Sequence, residues 1–346
     1  MHVIQPNPHN VAYETHLPLR ERFNNKVVAV AKEIVADTEK RMQNYRKNIK
    51  ELDGGCFYPN DYFNILKQSN QTDRLTFLVN KGSFVHGRAP AKYFTMEQNP
   101  NTSSGFTQNY FVLNKGVTPS AGLKAIRDGL SLIGCGEICQ IAYYEALKSE
   151  LGEDKFDVLF AADSKTPLSI GFNSSRNPLL PLFLLKDVPQ HFSKGEMVRF
   201  ENTPYYLIKH INGESSGFNT ICCDSTQGQE RFTTMGLNSQ GSTAQQVKQK
   251  LFDDFNEKPI GPKIMTQEVA KRSFGKYSTD YLKTTAELEN VQMDYQEFSE
   301  TKGGSIPLSL EMNIERITQL AAEPLESVSK LFNSWTTDTW PIKPCT

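Results

Sequence analysis

The stretch IGCGEICQIAYYEALKSEL, residues 133–151, reads as a tight turn running into a helix. Gly134 and Gly136 flank Cys135 at the start of that helix, and Ile138, Ile141, Ala142 and Ala146 recur at helical spacing to give it an apolar face. A helix N-terminus carries unpaired amides and the positive end of the helix dipole, a setting that favours a thiolate and can cradle an oxyanion. Two readings of Cys135 stay open on this chemistry alone: an activated nucleophile, or a small packing residue between glycines.

Outward from the Cys135 helix, the pattern alternates between helix and strand. A helix is expected over 119–130, and strands over 75–79, 109–113, 196–200, 218–223 and 231–235, each short, β-branched or aromatic and bounded by turn residues. A further helix runs from about Thr243 to Asn256. The apolar run PLLPLFLL (178–185) reads as a buried strand or a packed loop. Cys222 and Cys223 are neighbours on a strand, so their side chains should point to opposite faces. The fold class that follows is α+β: a helix bearing the cysteine, packed on a mainly antiparallel sheet.

Helical segments are expected on both sides of this core. Phe23, Val27, Val30, Ile34, Thr38, Met42, Tyr45 and Ile49 form one stripe on a helix from Leu17 to Leu52, stopped by Asp53-Gly54-Gly55. Its other face carries Lys26, Lys32, Lys40, Arg46, Lys47 and Lys50, a solvated face or a surface for an acidic partner. After Pro259-Ile260-Gly261-Pro262 the chain is polar, helix-leaning and strand-poor, with Leu310, Ile314, Ile317, Leu320 and Ala321 on one amphipathic stripe. The expected division is an N-terminal arm and long helix (1–56), a core (57–258) and a helical extension (259–346).

The formal net charge of -1 over 346 residues gives no electrostatic case for a nucleic-acid partner. No apolar run reaches the roughly 18 residues that span a bilayer, and the first residues lack a basic start followed by an apolar block. A cytoplasmic protein as synthesised is expected, with export to a host cell an open alternative. The six cysteines are too few for a disulfide scaffold and lack the paired spacing of a zinc site, so no metal is expected.

The run Pro119-Ser120 … Lys124-Ala125-Ile126-Arg127-Asp128, then Cys135, Tyr143-Tyr144-Glu145-Ala146-Leu147 and Gly152-Glu153-Asp154-Lys155-Phe156, resembles the spore-type bacterial transglutaminases (protein-glutamine γ-glutamyltransferases). Lys194-Gly195-Glu196-Met197-Val198-Arg199-Phe200-Glu201-Asn202 is similar to a later strand of that family. The resemblance covers about 105–240. It implies a papain-like (NlpC-like) core, Cys135 as nucleophile, acyl transfer from glutamine side chains by transamidation or deamidation, and no cofactor. Three positions depart from it: Phe218 replaces an acidic partner, Gly134 a second glutamate, and Met235-Gly236-Leu237 a histidine segment.

Replacement partners for the thiol are sought in the order Cys…His…Asp. His210 is the candidate general base and Asp224 its orienting carboxylate, with His191 second and His86 third. A loop-capping histidine is the competing reading of His210. The function expected is a thiol-dependent acyltransferase on protein glutamines. The alternatives are an inactive papain-like scaffold that binds a protein partner, and a cysteine peptidase.

Overall fold

The computed structural model describes residues 18–47, 55–57, 90, 92–98, 109–171, 177–186, 191–210, 215–226, 228–258 and 291–335. Helix α1 (Leu19–Lys47) leads to strands β1 (Gly55–Phe57), β2 (Phe94–Gln98) and β3 (Asn109–Leu113). Helix α2 (Pro119–Asp128), capped by the Thr118 hydroxyl, is followed by β4 (Leu130–Leu132), α3 (Cys135–Leu151), α4 (Glu153–Leu159) and β5 (Ser169–Ile170). Strands β6 (Phe183–Lys186) and β7 (Met197–Glu201), the short α5 (Tyr206–Lys209) and strands β8 (Gly217–Asp224), β9 (Arg231–Thr233) and β10 (Ser242–Thr243) come next. The chain continues with α6 (Ala244–Asn256), α7 (Tyr295–Glu300), β11 (Leu308–Met312), α8 (Ile314–Ala322) and α9 (Leu325–Trp335).

The main sheet has six strands in the order β10-β9-β8-β7-β11-β6, every pair antiparallel. A three-stranded sheet, β2-β3-β5, and a parallel pair, β1-β4, stand beside it. The strand alternation sorts the main sheet into two cores. Met197, Ile221, Cys223, Leu310 and Met312 face α3 and α1, while Val198, Phe200, Phe218, Cys222 and Phe232 face α6 and α7. The mixed helix-and-sheet architecture is the one expected.

Helix α3 is apolar on nearly every side, which marks a helix buried all round rather than a surface helix. Its Tyr143 stacks on Phe23 of α1 with centroids 6.5 Å apart and donates its hydroxyl to the Gly195 carbonyl at 2.9 Å. Gln140 is fully buried and satisfied: Nε2 donates to the Ser169 carbonyl and to Asn177 Oδ1 at 2.9 Å each, and Oε1 accepts from the Gly171 N–H at 2.9 Å. Arg22 of α1 donates to Glu150 at 2.7 Å, so the two helices are joined by packing and by an ion pair.

Two expectations need correction. Leu310 does not continue a helical stripe. It lies in β11, between β7 and β6, and only Ile314, Ile317, Leu320 and Ala321 belong to a helix, α8. The alternation in Leu308-Ser309-Leu310-Glu311-Met312 was the strand signal, and Pro307 before it starts the element cleanly. The apolar run at 178–185 divides between its two readings: 178–182 is a packed loop, and 183–185 is strand without being buried throughout. Leu179 and Leu182 are buried, but β6 is the edge of the sheet and exposes Leu184 and Leu185 at 44% and 47%. The strand expected at 75–79 lies outside the described residues.

Candidate functional site around Cys135

Cys135 is the first residue of α3, with Gly134 as an extended N-cap. The Gly134 N–H donates to Glu137 Oε2 at 3.0 Å, so the carboxylate folds back over the helix start. A Cβ at position 134 would lie 2.8 Å from Oε2, so a side chain there would require the Glu137 carboxylate to shift.

The sulfur's partners come from β8. Strand β9 pairs with β8 only from Ile221 onward, so the N–H and C=O groups of Gly217 and Asn219 on that side have no strand to meet. The thiols of α3 take the place of the missing strand. The Asn219 backbone N–H donates to Cys135 Sγ at 3.3 Å, and Asn219 Nδ2 donates to the same sulfur at 3.6 Å. The Cys135 thiol points at the Gly217 carbonyl at a weak 4.0 Å, and Cys139 Sγ donates to the Asn219 carbonyl at 3.5 Å. On the other side of β8, Asn219 is registered with Arg199 of β7, whose guanidinium donates to Asn219 Oδ1 at 3.4 Å and to Glu201 at 3.1 Å. A line of polar contacts therefore runs Glu201–Arg199–Asn219–Cys135.

Phe218, matched in the sequence to the family's acidic partner, turns the other way and packs with Val198, Phe200 and Phe232 in the second core. The residues that reach the thiol are its neighbour Asn219 and, behind it, Arg199. Sequence reading passed over both, although a strict two-residue alternation from Gly217 puts Asn219 on the cysteine's face.

The other candidates sit elsewhere. His210 follows α5; its buried ring stacks on Tyr206 with centroids 4.7 Å apart, and Nε2 is 2.9 Å from the Phe255 carbonyl. A carbonyl only accepts, so Nε2 carries the proton. Burial holds the His210 pKa below the ordinary histidine value, with the charge of Lys209 acting in the same direction. Asp224 ends β8 exposed and accepts from Thr226 N–H at 3.0 Å and Thr226 Oγ1 at 2.8 Å, bonds that lower its pKa. It lies five residue steps along the strand from Asn219, about 17 Å. His191 is exposed beside Glu230 at 3.1 Å, and His86 lies outside the described residues. The structure brings none of His210, Asp224 and His191 into hydrogen-bond contact with Cys135.

The balance of burial, charges and hydrogen bonds at Cys135 runs against a thiolate. Burial raises its thiol pKa above the ordinary value and Glu137 adds to the rise, against lowering by the Asn219 N–H and by Arg199. Burial raises the other described thiols too, Cys56 to about 12. Among the described residues no three metal-ligating side chains cluster, and no helix is long and apolar enough to cross a membrane.

No family model and no curated protein matches the chain. Among solved structures it is similar to a transglutaminase from Geobacillus stearothermophilus (without C-terminal extension), at 14% identity, covering 74% of this chain and 88% of that chain with a TM-score of 0.39. An overlap of that size decides neither fold nor activity.

Proposed function

We propose that this chain is a thiol-dependent acyltransferase acting on protein glutamine side chains, with Cys135 as the nucleophile. The observation that carries the reading is the setting of the sulfur. It is half-buried at the first residue of a helix and receives both N–H donors of Asn219. The sequence resemblance over 105–240 supports the same reading.

In this mechanism Sγ attacks the carboxamide carbon, and the carbonyl oxygen takes the electron pair as an oxyanion. Asn219 Nδ2 and the free amides of the first turn of α3 are the donors available to it. Collapse breaks the C–N bond, the thiol proton leaves on the nitrogen as ammonia, and a thioester remains. A lysine amine or water then takes the acyl group and returns the thiol. Burial keeps the thiol protonated near neutrality, so turnover rises with pH. His210 and Asp224 take no part.

Incorporation of a fluorescent primary amine into casein, followed from pH 7 to 9 together with ammonia release, tests the reading. The expected result is incorporation that climbs with pH and is abolished in Cys135→Ala. A second reading, a non-catalytic scaffold for a protein partner, is favoured by one observation: Cys135 and Cys139 already serve as hydrogen-bond partners for the uncovered groups of β8. Wild-type protein that neither incorporates amine nor releases ammonia across that range supports the scaffold.

A further inference from the structure

Resting on the reading of Cys135 as the reactive thiol, we propose that Arg199 is a positioning residue that fixes the side-chain amide of Asn219 so that its N–H, and not its oxygen, faces the sulfur.

An asparagine amide has a donor end and an acceptor end of nearly equal shape, and its surroundings decide which way it turns. Arg199 has donors only, so the group it meets at 3.4 Å must be Oδ1, and this leaves Nδ2 aimed at Cys135 Sγ at 3.6 Å. Glu201 holds the guanidinium from its far side at 3.1 Å, and the β7–β8 register sets Arg199 directly across from Asn219. With the guanidinium gone, the amide is free to turn over and accept the S–H proton through Oδ1. One orientation favours the thiolate and the other favours the thiol. The backbone N–H of Asn219 donates to the sulfur in both, so the difference belongs to the side chain alone.

Among the described residues the charges that act most on the sulfur are Glu137 on α3 and Arg199 on β7, and Cys139 is the titratable thiol one turn along. Loss of the Arg199 charge and reversal of the amide both disfavour the thiolate, so Arg199→Lys separates them. Lysine keeps a cation and a single donor for Oδ1 but cannot bridge Glu201 and Asn219 as the planar fork does.

The test is the pH profile of Cys135 alkylation by iodoacetamide in the full chain, read peptide by peptide, with Cys139 as internal control. Arg199→Leu should slow Cys135 labelling at pH 8 by about tenfold, equivalent to roughly one pH unit in the midpoint. Arg199→Lys should recover part of the loss, and Asn219→Asp should slow labelling further by placing an acceptor-only group at the sulfur. Arg199→Leu and Asn219→Asp profiles that superimpose on wild type would overturn the proposal. Faster Cys139 labelling would identify a variant that has loosened, and Arg199→Lys against wild type then decides. Labelling reads the thiol whether or not acyl transfer occurs. A shifted profile without amine incorporation keeps the positioning role and removes the function, and the converse pair of results does the reverse.

Discussion

A histidine that donates Nε2–H to a carbonyl keeps one lone pair, on Nδ1, and His210 has this arrangement in the second core. Its acid sensitivity has a definite sign. The folded pKa is depressed, so the stabilisation is present above the unfolded value, near 6.5, and is lost as the pH falls through the folded value. His210→Ala should therefore lower the melting temperature by truncating a buried ring, at about 2–4 kcal/mol, while leaving any Cys135 chemistry at neutral pH intact in the protein that remains folded. Thermal melts at pH 5.5 and 7.5 check both parts, and the variant should lose less stability than wild type between them. The thiols act at the other end of the scale. Buried Cys56 keeps its proton up to about 12, whereas an unfolded thiol loses it near 9, so stability should fall as the pH rises from 9 towards 11. Cys56→Ala should flatten that limb of the pH–melting curve. Cys135 at a helix start was legible in its flanking glycines. The absence of His210 and Asp224 from its surroundings was not, because the order of residues along a chain says nothing about which sheet face or strand end each one reaches.

Elements were read best where their period is long. The stripe on α1 and the apolar face of α3 foretold both helices, and the antiparallel strands β7, β8 and β9 fell near their expected places. What failed was short or shared. Strand β11 has five residues between helical neighbours, so a window wide enough to detect a helix absorbs it. The setting of Cys135 depends on β9 stopping opposite Ile221, a matter of pairing length that no pattern within β8 encodes. The position of β11 makes a direct prediction. A chain ending at residue 258 should fail to form the native sheet, because it loses the strand between β7 and β6 and the buried Phe298, Leu310, Met312, Ile317 and Leu320. Circular dichroism and hydrogen exchange on that truncation check it, and cooperative unfolding with protected β7 amides would refute it.

Across the whole molecule, the main sheet is a shared wall between two cores, with α1 and α3 on one side and α6 and α7 on the other. Polar stitches hold the later chain to it. Glu196, buried at the head of β7, takes Lys186 at 3.1 Å and the Ser193 N–H at 2.9 Å, and Ser309 of β11 hydrogen-bonds to its other oxygen. Lys209 donates to the carbonyls of Phe255 and Val291 at 2.7 Å each, tying α5, the end of α6 and the segment before α7 together.

The late arrival of β11 has a bearing on how the protein is made. Strands β6 and β7 leave the ribosome roughly a hundred residues before the strand that joins them. At ordinary elongation rates the nascent chain waits about 5–20 seconds with a gap in its sheet. Two unpaired strand edges and the apolar sides of Phe183 and Met197 are open to solvent and to neighbouring chains for that time. Completion of the sheet thus waits on elongation, and the yield of folded protein in a cell should vary with chaperone capacity and with the speed of translation over the segment between β7 and β11.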